Sequence, residues 1–246
     1  IRSCLVGSEM CIRDSSTRVF EVGKGVGGTW YWNRYPGARC DVESVQYSYQ
    51  FDTELEQEWT WSEKYSTQPE ILRYANHVAD RFDLRDNIQF ETRVISAEYS
   101  EADKLWVLET DRNEKVSSRY CVFATGCLSS SNVPKFEGYE TFKGLSYHTG
   151  RWPHEGVNFS GLRVGVIGTG SSAIQSIPEI AKEANQLTVF QRTANYTIPA
   201  RNSELTEDYV SLIKADYPGL RERARNKPAG YDIPLNSQSV LEVSRE

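Results

Sequence analysis

The stretch from Leu162 to Phe190, LRVGVIGTGSSAIQSIPEIAKEANQLTVF, constrains the fold more than any other part of the chain. It begins with a short apolar segment, residues 163–167, which runs into a turn of small residues. Apolar residues then recur at helical spacing to about Ala184, and residues 187–190 form a second apolar segment. This order predicts a β-α-β unit, and therefore an α/β fold with a parallel sheet.

The turn of that unit has the pattern G-x-G-x-x-A. The first glycine permits a tight turn, the second lets the backbone approach a pyrophosphate, and the third small residue lets helix and strand pack closely. The pyrophosphate would lie at the helix N-terminus, where free N–H groups and the helix dipole favour anions. We therefore predict a dinucleotide site, with a purely structural glycine turn as the alternative. Its residues would be Gly168, Thr169, Gly170, Ser171, Ser172 and Ala173.

The second strand of the unit is followed by Gln191, Arg192 and Thr193. In an NAD site an acidic residue usually stands here and accepts a hydrogen bond from the ribose 2′-hydroxyl. An arginine instead pairs with a 2′-phosphate, which an acid would repel. We therefore expect NADPH rather than NADH. The alternative is that Arg192 is a solvated surface charge.

An earlier segment, TRVFEVGKGVGGTWYW, indicates another nucleotide module. Residues 18–21 predict a short strand that ends at Glu21, and an acid there is typical of a ribose with a free 2′-hydroxyl, such as the adenosine half of FAD. The phosphate loop of such a module would lie about 20 residues upstream. That region, IRSCLVGSEMCIRDSS, lacks any helical or strand period and resembles translated sequencing-adapter read-through. We predict that residues 1–16 are non-native, with an unusual genuine N-terminus as the alternative.

The residues between the two modules predict a helix, a β-meander and a linker. QPEILRYANHVADRF has a proline in its first turn and one apolar face, which favours a helix. IQFET, VISAEY, LWVLET and YCVFATG indicate short strands, the last one buried and ending at Gly126. Residues 128–144 are rich in Ser, Pro and Gly, and a polar helical pattern begins near Ser203. The predicted domains are a non-native segment (1–16), a partial FAD-binding domain (17–130), a linker (131–160) and a partial NADPH-binding domain with the start of a helical insertion (161–246).

Composition argues against several kinds of partner. The net charge of −6 disfavours a nucleic-acid surface or an anionic membrane surface, and no run of 18 apolar residues occurs. The five cysteines include no C-x-x-C, and the three histidines are far apart. We therefore expect neither a disulfide framework nor a metal site, and we expect a reducing cytoplasm.

The aromatic-rich stretch WYWNRYPGARCDVES contains one residue that a plain core would not place there. Packing explains most of its aromatic residues. Asp41, however, follows a Pro-Gly turn and stands close to an arginine and a cysteine. We interpret Asp41 as a candidate for a role near a redox cofactor.

The stretch FKGLSYHTGRWP fits the motif F-x-G-x-x-x-H-x-x-x-W-P at Phe142, Gly144, His148, Trp152 and Pro153. Together with GVGGTWYWNRYPGARCDVES and GVIGTGSSAIQ, this motif resembles the Baeyer–Villiger monooxygenases. These are class B flavoproteins of the phenylacetone and cyclohexanone monooxygenase group. The resemblance covers about residues 18–246 and implies two Rossmann-like dinucleotide-binding modules, for FAD and NADPH, both incomplete in this chain.

The resemblance also implies a reaction. NADPH reduces FAD, the reduced flavin takes up O2 to give a C4a-peroxyflavin, and one oxygen atom is inserted next to a ketone carbonyl to give an ester or lactone. The implied FAD contacts, besides Glu21, are Gly27, Gly28, Thr29, Trp30, Asp41, Tyr47 and Val94. The implied NADP contacts, besides the glycine turn, are Arg39, Cys40, Asp41, Gln175, Gln191, Arg192 and Thr193.

In this comparison Asp41 is catalytic and pairs with an arginine that lies beyond residue 246. We therefore expect this chain by itself to be inactive and to bind FAD poorly. His148 is interpreted as a hinge residue between the modules, or equally as a histidine that fixes a loop. The expected partners are a small-molecule ketone and O2, with no nucleic acid or membrane, and the intact enzyme is expected to be monomeric.

Two alternatives remain open. A flavin N- or S-oxygenating monooxygenase shares both modules, but Trp152 and Pro153 favour the ketone-oxidising enzyme. A non-catalytic NADP-binding fragment would use the complete glycine turn at residues 168–173. It would leave Glu21 and Asp41 without a purpose.

Overall fold

The computed structural model describes residues 16–232. Except for Ser16, the predicted non-native segment, residues 1–16, lies outside the described residues, and so does the end of the last predicted domain, residues 233–246. The described residues divide into two units. The first unit contains residues 16–39 and 67–200, and the second contains residues 40–66 and 201–232.

The described helices are α1 (Thr29–Trp32), α2 (Ser44–Tyr47), α3 (Thr53–Glu58), α4 (Gln68–Arg81), α5 (Ser171–Glu183), α6 (Glu207–Ala215) and α7 (Tyr217–Arg225). The strands are β1 (Val19–Phe20), β2 (Ile88–Gln89), β3 (Val94–Ser100), β4 (Leu105–Thr110), β5 (Lys115–Ser118), β6 (Arg163–Ile167) and β7 (Gln186–Phe190). Short 3₁₀ turns occur at Leu84–Asn87, Tyr139–Thr141 and Thr149–Arg151. Within residues 16–232, no helix is both long enough and apolar enough to cross a bilayer.

Three small sheets lie in the first unit. β1 pairs in parallel with β2, and β6 pairs in parallel with β7. β3, β4 and β5 form an antiparallel meander, with a register shift between Val94 and Ser96. The predicted α/β class is confirmed, with its Rossmann-like β-α-β unit and its β-meander.

Helix α4 forms because its apolar residues recur on one face and Pro69 suits the first turn. Ile71, Val78 and Ala79 are buried on that face. Its last basic residue, Arg81, lies at the helix C-terminus, where the dipole favours a cation. The predicted helix over residues 68–82 is confirmed.

The predicted buried strand YCVFATG is wrong. The third strand of the meander is β5, which precedes it, and residues 120–126 form no strand. The side chains of Tyr120, Val122 and Phe123 are 80%, 76% and 61% exposed. An apolar run becomes a buried strand only where neighbouring strands supply a hydrogen-bond ladder, and no strand within residues 16–232 pairs with this segment.

The β-α-β unit has its own apolar core. Trp152, Phe159 and Ile180 are buried together, and partly buried apolar side chains pack around them. Trp152 comes from the linker and Ile180 from α5. The linker is therefore fixed to the β-α-β unit by burial of a large aromatic side chain.

In the second unit, an ion pair buried from water joins α7 to α3. Arg221 Nη2 lies 2.9 Å from Glu56 Oε1, and the two side chains are 5% and 7% exposed. The guanidinium also donates to the backbone oxygens of Gln46 and Ser48, at 3.3 and 3.4 Å. It lies over the ring of Tyr217. These contacts offset the desolvation cost that a buried ion pair carries.

Replacing Arg221 with methionine should destabilise the second unit by about 3–5 kcal/mol, because Glu56 would stay buried without its partner. Urea unfolding, followed by the fluorescence of the buried Trp61, measures this change. The matched control is Arg223→Met in the same helix, whose ion pairs lie in solvent and contribute little. Equal midpoints for the two variants would contradict this account.

Candidate dinucleotide site

The turn between β6 and α5 brings the ends of the two parallel strands together. The Gly168 N–H donates to Phe190 O, the last residue of β7, at 2.8 Å. Gly168 has a φ of +103°, in the region that favours glycine. The turn therefore requires a glycine at this position, as the sequence pattern predicted.

The residues after Gly168 form an open cradle at the start of α5. Gly170 is the N-cap residue, no side chain caps the helix, and no acidic residue stands in the first turn. A Cβ added at Gly168 or at Gly170 would meet no atom within 4 Å. Uncapped N–H groups, the helix dipole and free space in front of the backbone fit a pyrophosphate.

Two side chains that follow β7 donate hydrogen bonds to Thr169 in this turn. Gln191 Nε2 donates to Thr169 Oγ1 at 3.0 Å, and Asn195 Nδ2 donates to the backbone oxygen of Thr169. Gln191 was predicted as a site residue. Asn195 was missed, because no spacing rule marks a polar residue five positions after a strand. The one available signal was that Asn195 closely follows the predicted site residues.

Arg192 and Thr193 are exposed beside the cradle. Within residues 16–232, Arg192 forms no ion pair with an acidic side chain. Its charge is therefore not neutralised by the described part of the chain. This arrangement suits a side chain that binds a phosphate of a ligand.

Gln175 lies one helical turn beyond the cradle and contacts another part of the first unit. Its Nε2 donates to the Arg39 backbone oxygen at 3.1 Å, and its Oε1 accepts from the Arg39 N–H at 3.2 Å. The Tyr35 hydroxyl donates to the same Oε1 at 3.0 Å. The structure thus brings together Arg39 and Gln175, two predicted site residues that are 136 positions apart.

In the first module, Glu21 follows β1 and its backbone extends the parallel pairing. Glu21 N–H donates to Gln89 O at 3.0 Å, and its Oε1 accepts from the Gly23 N–H at 2.6 Å. A ribose hydroxyl at this carboxylate would bind beside that intrachain bond. The carboxylate keeps acceptor capacity for it, since an ionised carboxyl has about four lone-pair sites.

The glycine loop of the first module packs on α4. Gly27 has a φ of +118°, and a Cβ there would lie 2.6 Å from Leu72 Cδ1. Gly28 also has positive φ, but a Cβ there would meet nothing within 4 Å. The exposed Thr29 begins α1, and the Trp30 backbone oxygen accepts from Gln68 Nε2.

An open cleft of ≈ 390 Å³ borders this loop. Gly23, Lys24, Tyr31 and His154 contribute to its lining. Burial, and then the nearby charge of Arg34, lower the pKa of His154. Sequence reasoning missed His154, which directly follows the F-x-G motif, because a lone histidine carries no spacing signal.

Val94 is next in sequence to a residue that lines the cleft. It begins β3, pairs with Thr110 and is half-buried. The lining residues of the cleft include its neighbour Arg93 rather than Val94.

Three further predicted residues lie in the second unit. Cys40 is 4% exposed, and its Sγ lies 3.9 Å from Ser44 Oγ. Burial raises the pKa of the Cys40 thiol, so the thiol stays protonated near neutral pH. Asp41 and Tyr47, in contrast, are exposed.

The motif residues in the linker have mostly structural contacts. Phe142 is exposed, and its ring covers Gly144, where a Cβ would overlap that ring. His148 Nδ1 accepts from the Gly150 N–H at 3.1 Å and so caps the 3₁₀ turn. Trp152 is buried in the core of the β-α-β unit. The His148 bond fixes a loop, while a hinge role for His148 stays a prediction.

A sequence profile described as pyridine nucleotide-disulphide oxidoreductase matches residues 44–215, which is more than half of the chain. The chain belongs to this family. One relative, a Baeyer–Villiger monooxygenase from Pseudooceanicola batsensis, is 44% identical to this chain over 231 residues. The matched region covers 94% of this chain and 42% of that protein. A phenazine N-monooxygenase from Lysobacter antibioticus is 42% identical over 229 residues, covering 93% of this chain and 42% of that protein.

Solved structures agree with this assignment to the oxidoreductase family. An oxidized steroid monooxygenase bound to NADP is 56% identical with a TM-score of 0.88, over 96% of this chain and 45% of that one. OTEMO in complex with FAD and NADP is 42% identical with a TM-score of 0.86, over 94% of this chain and 43% of that one. The predicted resemblance to the Baeyer–Villiger monooxygenases is confirmed. The chain spans less than half the length of these relatives.

Cys40 should react with iodoacetamide at pH 8 at least about tenfold more slowly than the exposed Cys127, since burial both blocks access and raises the pKa of the Cys40 thiol. A raised pKa leaves less thiolate at pH 8, so the Cys40 rate should continue to rise as the pH is increased beyond 9. Timed alkylation with peptide mass spectrometry measures both rates. The chain unfolded in urea is the control, in which the alkylation rates of Cys40 and Cys127 should converge. Equal rates in the folded chain would contradict the burial of the Cys40 thiol.

Proposed function

We propose that this chain is part of an FAD- and NADPH-dependent Baeyer–Villiger monooxygenase, which inserts one oxygen atom of O2 next to a ketone carbonyl to give an ester or lactone. The observation that carries the proposal is the open cradle at Gly168 and Gly170, followed after β7 by Arg192, which forms no ion pair with an acidic side chain within residues 16–232. The named relatives support the class of reaction.

In this proposal the second module binds NADP through its backbone. The N–H groups at the start of α5 donate to the pyrophosphate, and Gln191 holds Thr169 in place beside it. Arg192 pairs with the 2′-phosphate and so selects NADP over NAD. Thr193 lies next to it and completes the same edge of the site.

The first module would hold the adenosine half of FAD. Glu21 would accept a hydrogen bond from a ribose hydroxyl, while Gly28 and Thr29 allow the ligand to come close to the protein backbone. When bound, NADPH supplies two electrons through the flavin, and O2 supplies one oxygen atom to the product and one to water. The chain's own residues bind the cofactors, orient them and keep water away from the reacting groups.

The remaining assignments complete the proposal. Asp41 is the catalytic carboxylate, Arg39 and Cys40 lie on the NADP side, and Tyr47, Trp30 and Val94 lie on the FAD side. The domain limits are 17–130 for FAD, 131–160 for the linker and 161–246 for NADPH, and the intact enzyme is a monomer. A cytoplasmic location is supported by the described cysteines Cys40, Cys121 and Cys127, which are free thiols.

A second candidate is oxygenation of an aromatic nitrogen. The likeness to a phenazine N-monooxygenase favours it, because that relative matches almost as well as the Baeyer–Villiger enzyme. A full-length protein carrying this chain distinguishes the two. Ester or lactone formed from cyclic and aryl ketones, with NADPH consumed in equal amount, supports the first proposal, whereas N-oxide formed from phenazines without ester supports the second.

The Arg192→Ala chain should bind NADP⁺ about 10- to 100-fold more weakly than the wild-type chain, because a charge-assisted bidentate contact is lost. Binding of NAD⁺, which lacks the 2′-phosphate, should not change. Isothermal titration calorimetry of the 246-residue chain measures both affinities. Arg163→Ala, at the opposite end of β6, is the matched control. An equal loss for NAD⁺ and NADP⁺ would rule out the assigned role of Arg192.

The Gly170→Ala chain should keep its stability and lose nucleotide affinity. Gly170 has a φ of −74° and open space around the added methyl group, so the free energy of unfolding should change by less than about 1 kcal/mol. The methyl group would occupy the space that the pyrophosphate needs, so NADP⁺ affinity should fall about tenfold or more. Thermal unfolding and calorimetry measure the two effects. Unchanged affinity would show that no phosphate approaches this backbone.

A further inference from the structure

The Ser44 hydroxyl is a buried junction between two segments of the second unit. Ser44 is 1% exposed and Ser66 is 0% exposed. The Ser66 N–H donates to Ser44 Oγ at 2.8 Å, and the two hydroxyl oxygens also lie 2.8 Å apart. Ser44 Oγ further lies 2.8 Å from Glu63 O and 3.0 Å from Lys64 O. A hydroxyl has one hydrogen and two lone pairs, so these neighbours saturate it.

Backbone hydrogen bonds join the same two segments at both ends of a short loop, residues 41–43. The Cys40 N–H donates to Ser66 O at 3.1 Å, and the Ser44 N–H donates to Lys64 O at 2.8 Å. Ser66 therefore accepts from Cys40 at its carbonyl and binds the Ser44 hydroxyl through its N–H. The Ser44 hydroxyl thus closes a ring of hydrogen bonds that fixes where the loop begins and ends.

The side chain of Glu43 adds a weaker contact to this loop. Glu43 Oε1 lies 3.2 Å from Lys64 Nζ, and the Tyr209 hydroxyl donates to Glu43 Oε2 at 3.1 Å. Burial, and then the charge and the hydrogen bond of Glu43, raise the pKa of Tyr209 to about 12, so its hydroxyl stays a donor at neutral pH. Glu43 and Lys64 are partly exposed, and ion pairs in contact with water contribute little. The buried Ser44 hydroxyl is therefore the stronger hold on the loop.

Two residues that the proposed function assigns to the reaction and to FAD lie on either side of Ser44 in the chain. Asp41 comes three positions before it, and Tyr47 ends helix α2, which Ser44 begins. Asp41 and Tyr47 are exposed, whereas Ser44 and Ser48 are buried. The segment therefore presents the Asp41 carboxylate at the surface of the unit while buried hydroxyls hold its backbone.

We propose that Ser44 is a positioning residue, whose hydroxyl anchors residues 41–43 to residues 63–66 and so sets the position of the Asp41 carboxylate. This inference deepens the proposed function and rests on it for the catalytic role of Asp41. Alanine at position 44 would take away the acceptor of the buried Ser66 N–H. Threonine would add a methyl group to a site with almost no exposed surface.

The first test measures hydrogen exchange at single residues in the 246-residue chain and its Ser44→Ala variant. The Ser66 amide should exchange faster, because its acceptor is removed. The Cys40 amide keeps its acceptor, Ser66 O, and so reports whether the loop is still held. Exchange at Cys40 should rise about three- to tenfold in the variant.

Ser48→Ala is the matched control for a lost buried hydroxyl. Ser48 belongs to the same segment, is 6% exposed, and accepts from Trp61 Nε1 at 2.8 Å. Its removal should destabilise the second unit to a similar degree. Exchange at Cys40 should nevertheless stay within about twofold of the wild-type rate, because the lost bond does not join the loop to Ser66.

The second test uses a full-length protein that carries this chain and measures kcat for ester formation per bound flavin. Ser44→Ala should lower kcat about tenfold, since a small misplacement of a reacting group is costly. In an Asp41→Asn background the same change should lower kcat by less than about twofold, because no charged carboxylate remains to be misplaced. A loss of stability alone would act equally in both backgrounds, so this double-mutant cycle separates positioning from folding.

Unchanged exchange at Cys40 in Ser44→Ala would overturn the anchor. Equal losses of kcat in the two backgrounds would show that Ser44 only stabilises the fold, and would overturn the positioning role. If Asp41→Asn alone keeps the wild-type kcat, the catalytic role of Asp41 in the proposed function fails. In that case faster exchange at Cys40 still supports the anchor, and unchanged exchange overturns it.

Discussion

The first unit depends on the hydrogen bonds that hold the backbone of Ala38 and Arg39 from two sides. The Gln68 N–H binds Ala38 on the α4 side, and the Gln175 amide binds both backbone groups of Arg39 on the α5 side. Hydrogen bonds are directional, so they fix the position of this loop more narrowly than apolar contacts would. The first glycine loop and the helix after the second one are connected by hydrogen bonds through this segment.

Sequence patterns predicted the helices and strands that form through interactions between residues close together in the chain. Helix α4, strands β3 and β4, and the β6–α5–β7 unit each carry a hydrophobic period or a turn rule within a few residues. Gly168 is an example, because its positive φ is a property of one tight turn. The position of the cradle therefore follows from the sequence pattern alone.

The errors and omissions involve contacts between distant residues. Residues 120–126 have the apolar composition of a buried strand, but burial depends on partner strands that composition does not specify. The contacts of Gln175 with Arg39 and Tyr35 were not predicted, because these partners lie 136 and 140 positions away and no periodicity connects them. Asn195 and His154 were missed for the same reason, since each gains its place only through the fold.

In the proposed function, the second module is a nucleotide site whose main ligands are backbone groups. Such a site is most directly tested by the amide NMR signals of the 246-residue chain during titration with NADP⁺. The largest chemical-shift changes should occur at Gly170, Ser171 and Ser172, together with the Arg192 side chain. Large changes elsewhere with none at these residues, or no change at millimolar NADP⁺, would contradict this assignment.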